Sequence, residues 1–265
     1  MRRPWVSICL TFLLLVAGAL PDEVKVTPSG ALVLCGGGKL PEKARSRFVE
    51  LAGGPRAVIV VIPTASRDAD VPEQRDSFLS PWRRWQEAQV LWLHTRERQQ
   101  ADTADFCAPL ATATGVWISG GDQSRLRTAY GGTLTERAIR DVIRRGGVVG
   151  GTSAGAAILG QPMIIAGQEQ PECAPGFGLL RETIVDQHFT QRQRAARLRL
   201  ALERYPSAQG LGIDEDTAVV IRAGTLEVFG SGGVCLYWRD RPGGPLREQY
   251  VKSAETIPYH WPSEP

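Results

Sequence analysis

The sequence predicts an α/β fold, a doubly wound sandwich on a mainly parallel sheet with an antiparallel extension near the C-terminus. Three observations carry this. Short apolar runs, mostly rich in β-branched residues, recur through the N-terminal part of the chain and mostly stop at Gly or Pro. Polar stretches with helical spacing separate them. After Gly210 the pattern changes to short strands divided by Gly-containing turns.

The elements follow in order. Ala31–Cys35 (ALVLC) leads into Gly36-Gly37-Gly38, and Ala57–Ile62 (AVIVVI) into Pro63-Thr64-Ala65-Ser66. Val90–Leu93 (VLWL) is a third run. Val116–Ser119 (VWIS) ends at Gly120-Gly121-Asp122, and Gly147–Gly150 (GVVG) at Gly151-Thr152-Ser153. Apolar runs without polar alternation fit strands buried on both faces of a parallel sheet. Pro41–Ala52 is predicted helical, with Pro in its first turn and Gly53-Gly54 as its stop. Leu134–Arg145 places Leu134, Ala138, Ile139, Val142 and Ile143 on one helical face and ends in two arginines, which suit the negative helix end. Val219–Ile221, Thr225–Phe229 and Val234–Trp238 form the antiparallel extension. There is no internal repeat, so residues 25–239 read as one domain and the Pro-rich, polar 240–265 as a loosely attached tail.

Composition narrows the function. The 265 residues are 43% hydrophobic and 22% charged, which excludes disordered and coiled-coil classes. A formal charge of only +3, without basic runs, argues against nucleic acid as a partner. With three histidines, His94, His188 and His260, a multi-His metal site is hard to build, and neither a metal nor another cofactor is expected. Adjacent acids in Asp214-Glu215-Asp216 alternate sides on a strand, which disfavours convergence on one ion.

Residues 1–19 (MRRPWVSICLTFLLLVAGA) have the form of a secretory signal peptide. Arg2 and Arg3 open it, an apolar run follows, and Ala17 and Ala19 set a cleavage site. The run is short for a membrane span, so an exported protein without a stable anchor is expected. Cys35, Cys107, Cys173 and Cys235 then remain, either as disulfides or as buried thiols.

In sheets of this type ligands gather at the carboxyl ends of the strands. The turns after Cys35, Ser119 and Gly150 fall at that edge. The third, Gly151-Thr152-Ser153-Ala154-Gly155, matches G-x-S-x-G between an apolar strand and the Ala-rich Ala156–Leu159. In that context the motif predicts a nucleophile elbow, with the alternative of a capped structural turn. Ala154 N–H is one expected oxyanion donor, and the Gly120-Gly121 turn offers a second at Gly121. A serine needs a base. His188, after Ile184-Val185-Asp186-Gln187, is the best placed; His94 reads as a structural polar group and His260 as part of the tail. Glu169, Glu172, Asp186 and Glu215 are the acids that could orient the base.

Four segments carry a resemblance: GGDQ at 120–123, GGTSAGAAILG at 150–160, VDQHFTQRQRAARLRLAL at 185–202 and GLGIDEDTA at 210–218. They resemble the cyanophycinase and dipeptidase E family of serine peptidases, over roughly residues 30–235 in matching order. The resemblance implies a flavodoxin-like three-layer sandwich of the class I glutamine-amidotransferase type. It implies Ser153 as nucleophile, His188 as base, and an acid in the loop after the elbow helix. Glu169 is favoured there, then Glu172, with Glu215 in reserve. It also implies a substrate pocket of Gln123, Asp186, Gln187, Arg192, Arg194 and Arg197, with Asp186 free to pair with a substrate cation. The expected substrate is an aspartyl peptide, as in the β-Asp-Arg units of cyanophycin, and a homodimer is expected by analogy. The rival readings are a non-catalytic binder of acidic peptides and an esterase using the same elbow.

Overall fold

A computed structural model of the chain describes residues 30–84 and 88–259. The expected signal segment 1–19 and His260 lie outside the described residues. Five strands, β1 (Ala31–Cys35), β2 (Val58–Ile62), β3 (Gln89–Trp92), β4 (Gly115–Ile118) and β5 (Val148–Thr152), pair in parallel in the order β1-β5-β4-β2-β3. Side chains alternate between the two faces of the sheet. Leu32 and Leu34 therefore join one buried cluster with Val60, Ile62 and Val149, whereas Val33 and Cys35 join another with Ile59, Val61 and Val148. Helices Gln123–Tyr130 and Leu134–Arg144 cover the first face through Leu126, Ile139 and Val142. Helix Glu42–Leu51 covers the second through Ala44 and Phe48, and Phe48 packs 5.1 Å from Trp82 and 5.4 Å from Trp117. Burial on both faces is what the uninterrupted apolar runs anticipate.

Past β5 come β6 (Gly160–Gln161), β7 (Met163–Ala166), β8 (Glu172–Ala174), β9 (Leu180–Arg181), β10 (Thr183–Gln187) and β11 (Gln209–Ile213). They are followed by β12 (Thr217–Arg222), β13 (Thr225–Gly230), β14 (Gly233–Trp238), β15 (Arg247–Lys252) and β16 (Thr256–Pro258). β12 pairs antiparallel with β1, and β13 and β16 continue that edge, so the main sheet has eight strands. This is the predicted antiparallel extension, except that Val234–Trp238, expected within it, forms β14 of a second sheet.

The second sheet was not anticipated. Six strands pair in the order β15-β14-β11-β10-β6-β9, with β10 and β11 parallel. Helix Ala195–Arg204 packs Leu198, Ala201 and Leu202 against Ile184, Phe189 and Tyr237 of this layer. The expected loose tail at 240–265 also needs correction. β15 pairs with β14, β16 pairs with β13, and Tyr259 is buried. Polar residues read as a tail because an edge strand exposes most of its side chains while its backbone pairs along one side only. Cys35, Cys107, Cys173 and Cys235 are all free thiols. Among the described residues no helix is long and apolar enough to cross a membrane.

Candidate active site

The two sheets meet at their carboxyl edges. In the main sheet Cys35 is level with Thr152 and Ile118 with Gly151, so the turns after β1, β4 and β5 leave side by side. In the second sheet Gln187 is level with Ile213, so the residues after β10 and β11 leave together as well. Main-chain bonds join the edges. His188 N, after β10, donates to Gly36 O at 2.7 Å and Asp216 N, after β11, to Gly37 O at 2.9 Å, while within the main edge Ser153 N donates to Cys35 O at 2.9 Å.

Ser153 stands on the turn between β5 and the short helix Ala154–Ala157, at φ 50° and ψ −115°. A non-glycine residue there carries backbone strain, which persists only where the surroundings enforce it. The flanking glycines are required by close approach. A Cβ on Gly151 would lie 2.4 Å from the Gly155 carbonyl, and one on Gly155 would lie 2.1 Å from Ile118 O. His188 also has positive φ, at 50°. Gly37 makes room for its ring: a Cβ there would sit 2.1 Å from His188 Cε1.

Ser153 Oγ lies 2.8 Å from His188 Nε2, and His188 Nδ1 lies 2.6 Å from Glu215 Oε1. Both ring nitrogens are thus occupied. The acid against the imidazole is Glu215, not the favoured Glu169 or Glu172. Those two are exposed, on and beside the β7–β8 hairpin, and neither bonds to His188. Glu215 is held in turn, its amide donating to Gln191 Oε1 at 2.9 Å. The three acids lie on the turn between β11 and β12 and not on a strand, as alternation would need, and the neighbours of Glu215 are bound elsewhere. Asp214 accepts from Thr190 N, Gly233 N and Tyr250 Oη, and Asp216 accepts from Lys39 N.

Burial, foremost, holds the His188 imidazole below its ordinary value; the Glu215 hydrogen bond raises it, and nearby Arg192 lowers it further. A base must be neutral to accept a proton, and a lowered pKa keeps it neutral to lower pH. The rate of fluorophosphonate inactivation should therefore hold down to a midpoint below about 6.5, the ordinary imidazole value. Arg192→Gln should move that midpoint up and Glu215→Gln should move it down. A midpoint indifferent to both substitutions would contradict this electrostatic account.

The expected oxyanion amides flank the serine. Ala154 opens its helix, where an N–H has no intrahelical acceptor. Gly121 lies at φ 141° on the turn after β4, and neither amide donates to a protein acceptor among the described residues. The Gly121 turn is braced from behind. Asp122 N donates to Ala65 O at 3.0 Å. Arg96 binds the Thr64 and Ser66 carbonyls on either side, and also Asp70 at 2.8 Å. His94 bridges Asp70 and Thr64 Oγ1 at 2.8 Å each, which is the structural role expected for it.

The expected substrate pocket divides. Asp186 is fully buried and gripped by Arg197, through Nε at 2.8 Å and Nη2 at 2.5 Å, with Arg194 at 3.4 Å. It is therefore not free to pair with a substrate cation. Arg197 also donates to Gly167 O, and Arg194 to the carbonyl of buried Gln187. These side chains fix the loop that carries His188, because charges this deep must be paired within the protein. Gln123 Nε2 is committed to Ile164 O at 2.9 Å. Arg192 differs: it is exposed beside the histidine, its amide donating to His188 O, and no acceptor holds its guanidinium among the described residues.

The profile of peptidase family S51 matches residues 32–229. A protein named cyanophycinase from Synechococcus elongatus is 39% identical over 223 residues, covering 78% of this chain and 67% of that protein. A cyanophycinase from Geminocystis herdmanii is 38% identical over 199 residues, covering 72% of each. The chain thus spans about two thirds of the length of these relatives. A crystal structure of a peptidase from an acI-B1 Actinobacterium superposes with a TM-score of 0.68 at 24% identity, covering 87% of this chain and 97% of that one. This last likeness concerns the fold.

Proposed function

This chain belongs to peptidase family S51 and is a serine-type peptidase, and from that premise we propose that it cuts aspartyl peptide bonds, β-Asp-Arg among them, through Ser153, His188 and Glu215. The observation that carries the reading is the continuous relay of 2.8 Å and 2.6 Å from serine oxygen to imidazole to carboxylate. Ser153 Oγ attacks the carbonyl carbon while its proton passes to His188 Nε2. Nδ1–H donates to Glu215, whose charge stabilises the imidazolium that forms. The Ala154 and Gly121 amides receive the oxyanion. The imidazolium then protonates the departing amine as the C–N bond breaks, leaving an acyl-enzyme on Ser153. His188 next takes a proton from water, whose oxygen attacks the ester, and returns it to Ser153 Oγ as the acid leaves.

Similarity to proteins named cyanophycinase supports the aspartyl substrate class. Arg192 is the cation in reach of a substrate carboxylate, a role suited to a guanidinium fork. The form of residues 1–19 supports export. The test is a panel of β-Asp-Arg, α-aspartyl dipeptides and a simple ester, incubated with residues 20–265 and read by mass spectrometry. Cleavage of aspartyl peptides, lost in Ser153→Ala, is expected. If folded protein hydrolyses the ester and spares every aspartyl peptide, the proposal fails.

A further inference from the structure

Away from Ser153, a cavity of about 460 Å3 opens in the helical layer over the Leu32 face of the main sheet. Its walls include Arg98, Arg127 and Arg140, with Glu136, Gln161 and Phe177. Glu136 is already satisfied. Its Oε1 takes Arg140 at 2.5 Å and its Oε2 takes the Gly132 amide at 2.6 Å. Arg98 donates to Gly131 O, a neutral partner that anchors the guanidinium, and among the described residues no carboxylate compensates its charge. Arg127 is exposed, and no acceptor holds its side chain among the described residues. Asp102, on the neighbouring loop, is engaged by the Leu134 amide and by Arg137. Helix Leu134–Arg144 adds the positive end of its macrodipole at the same wall. The cavity therefore presents two uncompensated guanidiniums and a favourable backbone field, which is the chemistry of a carboxylate site.

Its position ties it to the active site. Gln123 opens the helix that follows the Gly120-Gly121 turn, and Arg127 stands four residues on, along the same helix face. A chain leaving the oxyanion turn along that helix meets Arg127 about one helical turn later. We propose that the cavity is an exosite that takes the carboxylate side chain of an acidic peptide substrate, away from the bond being cut. The proposal rests on the peptidase reading for its purpose; its binding chemistry is independent of it.

The test uses Ser153→Ala protein, titrated with a poly-L-aspartate oligomer and, separately, with citrate. Arg127 is exposed and unpartnered, so its substitution leaves folding intact, as the melting temperature checks. In this background Arg127→Gln should weaken poly-L-aspartate binding about fivefold, the scale of one exposed ion pair, and Arg127→Glu should weaken it further. With Ser153 restored, Arg127→Gln should raise KM for a long acidic peptide by a similar factor and leave KM for an aspartyl dipeptide unchanged. Poly-L-aspartate affinity indifferent to both substitutions overturns the exosite, as does citrate binding tightly where the oligomer does not. Should the wild-type protein cleave no aspartyl peptide, the peptidase reading fails, yet the titration still decides the exosite.

Discussion

Ser153→Ala is expected to lower kcat by roughly 10^5- to 10^6-fold, and His188→Ala by a similar factor. The two groups act as one unit: without the imidazole the serine keeps its proton, and without the serine the imidazole has nothing to activate. The double variant should therefore be scarcely slower than either single one. Nothing in the packing opposes the measurement, since Ser153 Oγ bonds to His188 and Ala fills the same turn. Substrate affinity should persist in Ser153→Ala, because Arg192 is untouched. Turnover and fluorophosphonate labelling are the readouts. A Ser153→Ala protein that still turned over at more than a hundredth of the wild-type rate would place the nucleophile elsewhere.

The acid comes next. Glu215→Ala should cost about 10^4-fold in kcat, as removing the acid of a serine triad does, while Glu169→Gln and Glu172→Gln should leave it within about twofold, as exposed surface substitutions do. Without the carboxylate 2.6 Å from Nδ1, neither the ring orientation nor the developing imidazolium is stabilised. Glu215→Gln keeps an acceptor oxygen and loses the charge, so it should fall between wild type and Glu215→Ala. This ordering separates charge stabilisation from simple orientation. If Glu169→Gln proved as damaging as Glu215→Ala, the relay seen at 2.8 Å and 2.6 Å would not be the working one.

Glu215 is hard to find in the linear sequence for a physical reason. The rule that ligands gather at the carboxyl ends of parallel strands applies to Gln209–Ile213 as well as to the first five strands, and it points at Glu215 directly. That segment, QGLGI, with two glycines between few apolar residues, lacks the β-branched run that marks most of the others. Its parallel pairing with β10 is made by the backbone, and Gly212 is bare because the ring of Phe189 lies on it. The same holds for Asp186. A run of arginines after an apolar strand reads equally as a substrate clamp or as internal pairing, and only the depth of the carboxylate separates the two.

The features legible in the linear chain are local: five apolar strands, four of them stopped by glycine or proline, two helices of regular spacing, and a serine pinned between Gly151 and Gly155 on a turn too tight for side chains two residues either side of it. Each is set by interactions within a few residues, so each leaves a pattern in the linear chain. Which distant segments share an edge is fixed in three dimensions alone: the second sheet, the 247–258 strands, the Arg197–Asp186 pair, and Glu215 rather than Glu169 on the imidazole. These depend on backbone pairing and desolvation between residues far apart in sequence, and neither has a periodicity to read.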